Sequence, residues 1–88
     1  MKRQKDIKKI VDHYGASQLN VVIEELCDLA KEICKNRRGI GDGSKILFEI
    51  ADVIISLETL MEIYNFKEAD IEDLVDYKID KIMEKAGI

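Results

Sequence analysis

Apolar residues recur along most of this chain at spacings of three and four. No stretch alternates with the period of two that marks a half-buried strand. The first predicted element runs from Gln4 to Tyr14, with Ile7, Ile10, Val11 and Tyr14 on one face and Gly15 as its stop. Ser17 is the expected N-cap of a second helix, about Gln18 to Asn36, whose stripe is Leu19, Val22, Ile23, Leu26, Leu29, Ala30 and Ile33. A loop follows, with glycine at 39, 41 and 43. Ser44 is then the expected cap of a third helix, about Lys45 to Tyr64, closed by Asn65. A fourth helix begins near Lys67 to Ala69 and ends at about Lys85, with Gly87 beyond it. The predicted fold is all-α, a four-helix bundle.

The third helix departs from an ordinary amphipathic pattern. Ile46, Ile50, Val53, Leu57, Leu60 and Tyr64 form one stripe; Leu47, Ile54 and Met61 widen it, while Phe48 and Ile55 lie almost opposite. A helix apolar on nearly all sides is expected to be buried on nearly all sides. The exception is a strip of Glu49, Asp52, Ser56 and Thr59, within roughly 80° on the wheel. Two carboxylates at i, i+3 cannot be buried alone, so they sit on an exposed edge or face a cation.

The second helix carries a matching set. Glu24, Glu25 and Asp28 lie on its polar side, and Glu24 and Asp28 repel at i, i+4 rather than pair. Antiparallel packing across the glycine loop would bring the two acidic pairs face to face, and hard oxygen donors of that kind suit Mg²⁺ or Mn²⁺. In the fourth helix, Ile71, Leu74, Val75, Ile79 and Ile82 make the apolar stripe and Lys78 falls inside it, with Lys81 and Lys85 on one flank. Its ammonium either snorkels to water or reaches an anion, such as a phosphate, held near the acids.

Composition narrows the picture. The 88 residues are 47% hydrophobic and 36% charged, without proline or tryptophan, which fits one folded domain with a small core. The net charge of −4 is uneven: residues 1–38 carry +3 and residues 39–88 carry −7. That balance argues against DNA or RNA as a partner. Four carboxylates between Ile46 and Ile63 exclude a membrane span there, and no apolar run of the secretory kind follows the opening basic residues. Cys27 and Cys34, seven apart on one helix, read as reduced, partly buried thiols. The expected location is cytoplasmic.

The order Gln18-Leu19, Glu24-Glu25-Leu26-Cys27-Asp28-Leu29, Glu49-Ile50-Ala51-Asp52-Val53, then Tyr77-Lys78 and Lys81, resembles the all-α nucleotide pyrophosphohydrolases. This is the MazG-like superfamily that includes dimeric dUTPases and phosphoribosyl-ATP pyrophosphohydrolase. Its signature is EExxE, a spacer, then ExxD; here residues 29 to 48 separate Asp28 from Glu49. The likeness covers about residues 13 to 85. It departs from the pattern at Asp28, where the family carries glutamate, and at Lys81, where many relatives carry arginine.

The resemblance implies a four-helix MazG-like bundle completed by oligomerisation as a homodimer or homotetramer. It implies hydrolysis of a nucleoside triphosphate between the α and β phosphates, giving a monophosphate and pyrophosphate. Glu25, Asp28, Glu49 and Asp52 would hold Mg²⁺ (or Mn²⁺), Glu24 would orient or deprotonate water, and Lys78 and Lys81 would steady the departing pyrophosphate. Gln18 would contact the base, with His13, Tyr14 and Asn20 as alternatives. Two other functions stay open: a non-catalytic helical interaction or regulatory module of the same fold, and a pyrophosphohydrolase acting on a phosphoribosyl-type nucleotide.

Overall fold

A computed structural model describes residues 2–88. It is all-helical: α1 (Gln4–Tyr14), a 3-10 turn (Gly15–Ser17), α2 (Gln18–Arg37), α3 (Ser44–Tyr64) and α4 (Glu68–Ala86). Among the described residues, no helix is long and apolar enough to cross a membrane.

The helix stops follow the sequence closely. Gly15 ends α1 at φ +60°, donating its N–H to the Val11 carbonyl. Asn65 closes α3 in the left-handed region at φ 56°; it donates to the Glu62 carbonyl while Phe66 donates to Met61. That pairing satisfies two of the carbonyls a helix end leaves open. Gly87 and Ile88 close α4 in the same way.

The helix starts also fall within one residue of expectation, but the expected serine caps do not form. Ser17 does not cap α2: it lies in the 3-10 turn with helical dihedrals, and its hydroxyl donates back to the Tyr14 carbonyl at 2.6 Å. An N-cap needs extended dihedrals to turn its oxygen onto the next amides, and the continuous turn forbids that. Ser44 is not a cap either but the first residue of α3. Gly43 holds the cap position without a side chain, and the Asp42 carboxylate before it accepts from the Ser44 N–H at 2.8 Å and from the Ser44 hydroxyl. Those bonds hold the Asp42 carboxyl below its ordinary range.

Three of the four helices pack together, with α3 against both α1 and α2. Gln4 Nε2 donates to Glu58 Oε2 at 3.0 Å, and Lys8 lies 3.9 Å from Glu62, tying α1 to α3. Among the described residues, the buried apolar core is Ile7, Val22 and Val53. Beside it lie three buried polar residues, Gln18, Ser56 and Thr59. The inward line of α2 is therefore rotated from the predicted stripe. Gln18 and Val22 are buried and Glu25, Leu29 and Glu32 half-buried, while Ile23, Leu26 and Ile33 are exposed.

Helix α3 inverts its expectation more fully. Ser56 and Thr59, from the polar strip, are its most buried residues, whereas Ile50, Leu57 and Tyr64, from the apolar stripe, are exposed. Helix α4 stands outside the packing. None of its residues is buried, and of its apolar stripe only Ile71 is even half-covered.

Candidate metal centre

The polar strip of α3 turns toward α2 and carries its carboxylates with it. Glu25 from α2 and Glu49 and Asp52 from α3 each place one carboxylate oxygen within 4.8 Å of the others. Glu25 and Glu49 are half-buried and Asp52 is exposed, so the cluster between α2 and α3 is partly open to solvent.

Its electrostatics are unfavourable as it stands. Burial, followed by repulsion from Asp52, Asp28, Glu49 and Glu24, pushes the Glu25 carboxyl above its ordinary value. Burial, then Asp28, Asp52 and Glu32, pushes Glu49 up in the same sense. Glu49 Oε2 is buried and has no hydrogen-bond partner. Among the described residues, no lysine or arginine forms an ion pair with Glu25, Glu49 or Asp52. A buried carboxylate oxygen without a donor costs free energy that a proton or a cation would relieve. The donor set is all hard oxygen, which fits Mg²⁺ or Mn²⁺ rather than a thiolate-loving ion.

Asp28 and Glu24, both exposed, stand near enough to act on these groups electrostatically but outside the three that converge. One nearby acid escaped the sequence reading. Glu32 is half-buried, adds to the repulsion on Glu49, and pairs with Lys35 at 3.5 Å. The available signal was its position seven residues beyond Glu25, two turns along the same face.

The substrate-binding expectations fare differently. Gln18 is buried, and its amide donates to Thr59 Oγ1 at 3.5 Å, so it is engaged in α2–α3 packing. It lies two helical turns from Glu25, about 10 Å along the axis. His13 and Tyr14 are exposed and pack edge to face on each other, with centroids 4.6 Å apart. Lys78 and Lys81 are exposed on α4 and are not brought to the carboxylates. Lys81 instead lies 3.5 Å from Glu84 and 5.6 Å from the Tyr77 ring centre, both within its own helix. Cys27 and Cys34 are free thiols, exposed rather than partly buried, because α2 turns its acidic line inward instead.

Comparison with protein-family models, with curated proteins and with solved structures returns no match to this chain.

Proposed function

We propose that this chain is a metal-dependent nucleotide pyrophosphohydrolase of the MazG-like kind, splitting a nucleoside triphosphate into a monophosphate and pyrophosphate. The observation that carries the reading is the convergence of Glu25, Glu49 and Asp52, with a buried Glu49 oxygen that nothing in the chain satisfies. Mg²⁺ or Mn²⁺ held by these three, with Asp28 beside them, would supply the charge neutralisation that a triphosphate needs and lower the pKa of nearby water.

The remaining roles belong to the chain itself. Glu24, exposed beside Glu25, would orient or deprotonate the attacking water. Oxygen from that water bonds to phosphorus as the bridging P–O bond breaks, and pyrophosphate leaves with the electron pair. In this reading Lys78 and Lys81 steady the leaving group from an α4 supplied across a homodimer or homotetramer interface. A second reading, a helical interaction module without catalysis, draws on the uncovered apolar faces of α3 and α4.

The test is a panel of common and modified nucleoside triphosphates and one phosphoribosyl nucleotide, with Mg²⁺ or Mn²⁺, scored for pyrophosphate release. Turnover lost in Glu49→Gln with helicity intact supports the enzyme; no turnover of any substrate overturns it. Metal binding has its own readout in thermal stability. At a hundredfold excess over Kd a ligand adds about 2.7 kcal/mol, which for a chain this size is about 15 °C in melting temperature. Glu49→Gln should abolish that gain.

A further inference from the structure

The covered line of α2 runs past the carboxylate cluster and ends on a lysine. Gln18, Val22, Glu25, Leu29, Glu32 and Lys35 are all buried or half-buried, and they follow one another at intervals of four and three on the side packed against α3. Of the fourteen lysines and arginines in the chain, all but Lys35 are exposed. Drawing a charged group even part-way out of water costs solvation. An exposed pair at the same spacing, such as Lys81 and Glu84 on α4, needs no such cover.

Lys35 is aimed along that line. Long side chains on a helix lean toward its N-terminus, and Lys35 reaches back to Glu32, one turn nearer the cluster, with Nζ 3.5 Å from Oε1. The Glu32 side chain is 15% exposed and that of Lys35 34%. Glu32 in turn acts on Glu49, adding to the repulsion that raises its carboxyl. The ion pair is longer than the roughly 2.8 Å of a tight charge-assisted hydrogen bond. An ammonium carries three donors, so Lys35 can stay with Glu32 and still donate to a further oxygen. Its backbone stands about 10 Å along the axis from Asp28. An extended polyphosphate and the flexible lysine stem close such a gap from opposite ends.

We propose that Lys35, held by Glu32, is this chain's own contact for the terminal phosphates of a triphosphate whose metal-bound end lies at Glu25, Glu49 and Asp52. The inference rests on the metal-dependent nucleotide reading given above. It needs nothing from α4: one chain holds both the metal and the far end of the polyphosphate. Lys35 touches the ligand, and Glu32 is a positioning residue that keeps the ammonium on the line of the groove. A diphosphate bound at the same metal ends short of Lys35, so the pair makes the site prefer a triphosphate.

Titration calorimetry with inorganic triphosphate and with pyrophosphate, each in excess Mg²⁺, tests this. Wild type should bind triphosphate more tightly. Lys35→Met, which keeps the covered stem, should weaken triphosphate about tenfold and leave pyrophosphate unchanged, so that the preference disappears. Lys35→Arg should retain the preference, and Glu32→Gln should reduce it in part. The thermal stabilisation by Mg²⁺ alone should persist in Lys35→Met, which a merely structural role in the metal centre would not allow. Should Lys35→Met lose its helical circular dichroism, Lys35→Gln takes its place. Mg²⁺ stabilisation without triphosphate binding, equal binding of the two anions by wild type, or undiminished triphosphate binding by the Lys35 variant overturns the assignment of Lys35 alone. Loss of the Mg²⁺ stabilisation in wild type as well overturns the metal reading and this inference with it.

Discussion

Replacing Thr59 by valine asks whether a polar pair at the dry centre of the α2–α3 interface holds the fold. Valine keeps the branched shape and removes the hydroxyl. Thr59 is 0% exposed, its hydroxyl donates to the Ser56 carbonyl at 2.7 Å, and it accepts from Gln18 Nε2 at 3.5 Å. The Gln18 bond is at the outer limit of length, so its own worth lies near the bottom of the usual range of about 0.5–1.5 kcal/mol. The larger cost is stranding. Gln18 is only 6% exposed, and its amide would lose a partner with little access to water. An unsatisfied buried donor costs about 1–3 kcal/mol, so Thr59→Val should destabilise the chain by about 2 kcal/mol. For 88 residues the unfolding entropy is about 0.18 kcal/mol/K, which makes the fall in melting temperature about 10 °C.

The pair is identified by a cycle. Gln18→Leu, Thr59→Val and the double variant are unfolded in urea and followed by circular dichroism at one fixed protein concentration. The double variant has no stranded amide, so it should lose less than the two singles together, with a coupling of about 1 kcal/mol. Strict additivity, or a Thr59→Val cost below about 0.5 kcal/mol, would refute the reasoning. If Gln18 instead reads a nucleobase, Gln18→Leu raises KM and the coupling vanishes.

The acidic cluster should leave a mark on pH dependence in metal-free protein. Glu25 and Glu49 both sit above their ordinary value of 4.5 when folded, so the folded state keeps protons that the unfolded state releases. Their contribution is full below pH 4.5 and is lost as pH rises through the raised values; denaturation across that range should show stability falling, and Glu25→Gln or Glu49→Gln should flatten the slope. Asn65→Ala forces alanine into the left-handed φ of 56° and should cost about 1 kcal/mol, or about 5 °C by thermal melting, while Asn65→Gly should not.

Helix ends were legible because glycine and asparagine act locally. Gly15, Asn65 and Gly87 stop helices through their own backbone freedom, whatever the tertiary structure does. Helix caps were less so. Ser17 turns its hydroxyl back to the Tyr14 carbonyl, and before α3 it is Asp42, two residues ahead of Ser44, whose carboxylate accepts from the Ser44 amide. Of the two i, i+3 pairs on the facing helices, Glu25, Glu49 and Asp52 come together while Asp28 stays outside. Glu32 was missed because it lay outside the motif that drew attention to the others.

The inversion of α3 has a deeper cause. A wheel assigns the apolar side inward, and the rule fails where small polar groups can pair or pack across a helix interface. Here α3 presents Ser56 and Thr59 to α2, where each finds hydrogen bonds or close packing, and keeps its richest apolar seam outside the three-helix core. Exposed seams of that length are unusual on a finished monomer. The polar strip holds a small, specific joint within one chain, while Leu47, Ile50, Ile54 and Leu57 stay exposed on the other side of the helix. Substitutions in the strip should therefore change stability at any protein concentration. Under the proposed homo-oligomeric reading, substitutions in the seam should act through a term that grows as the logarithm of concentration, and a dilution series on Thr59→Val and Ile54→Glu separates the two.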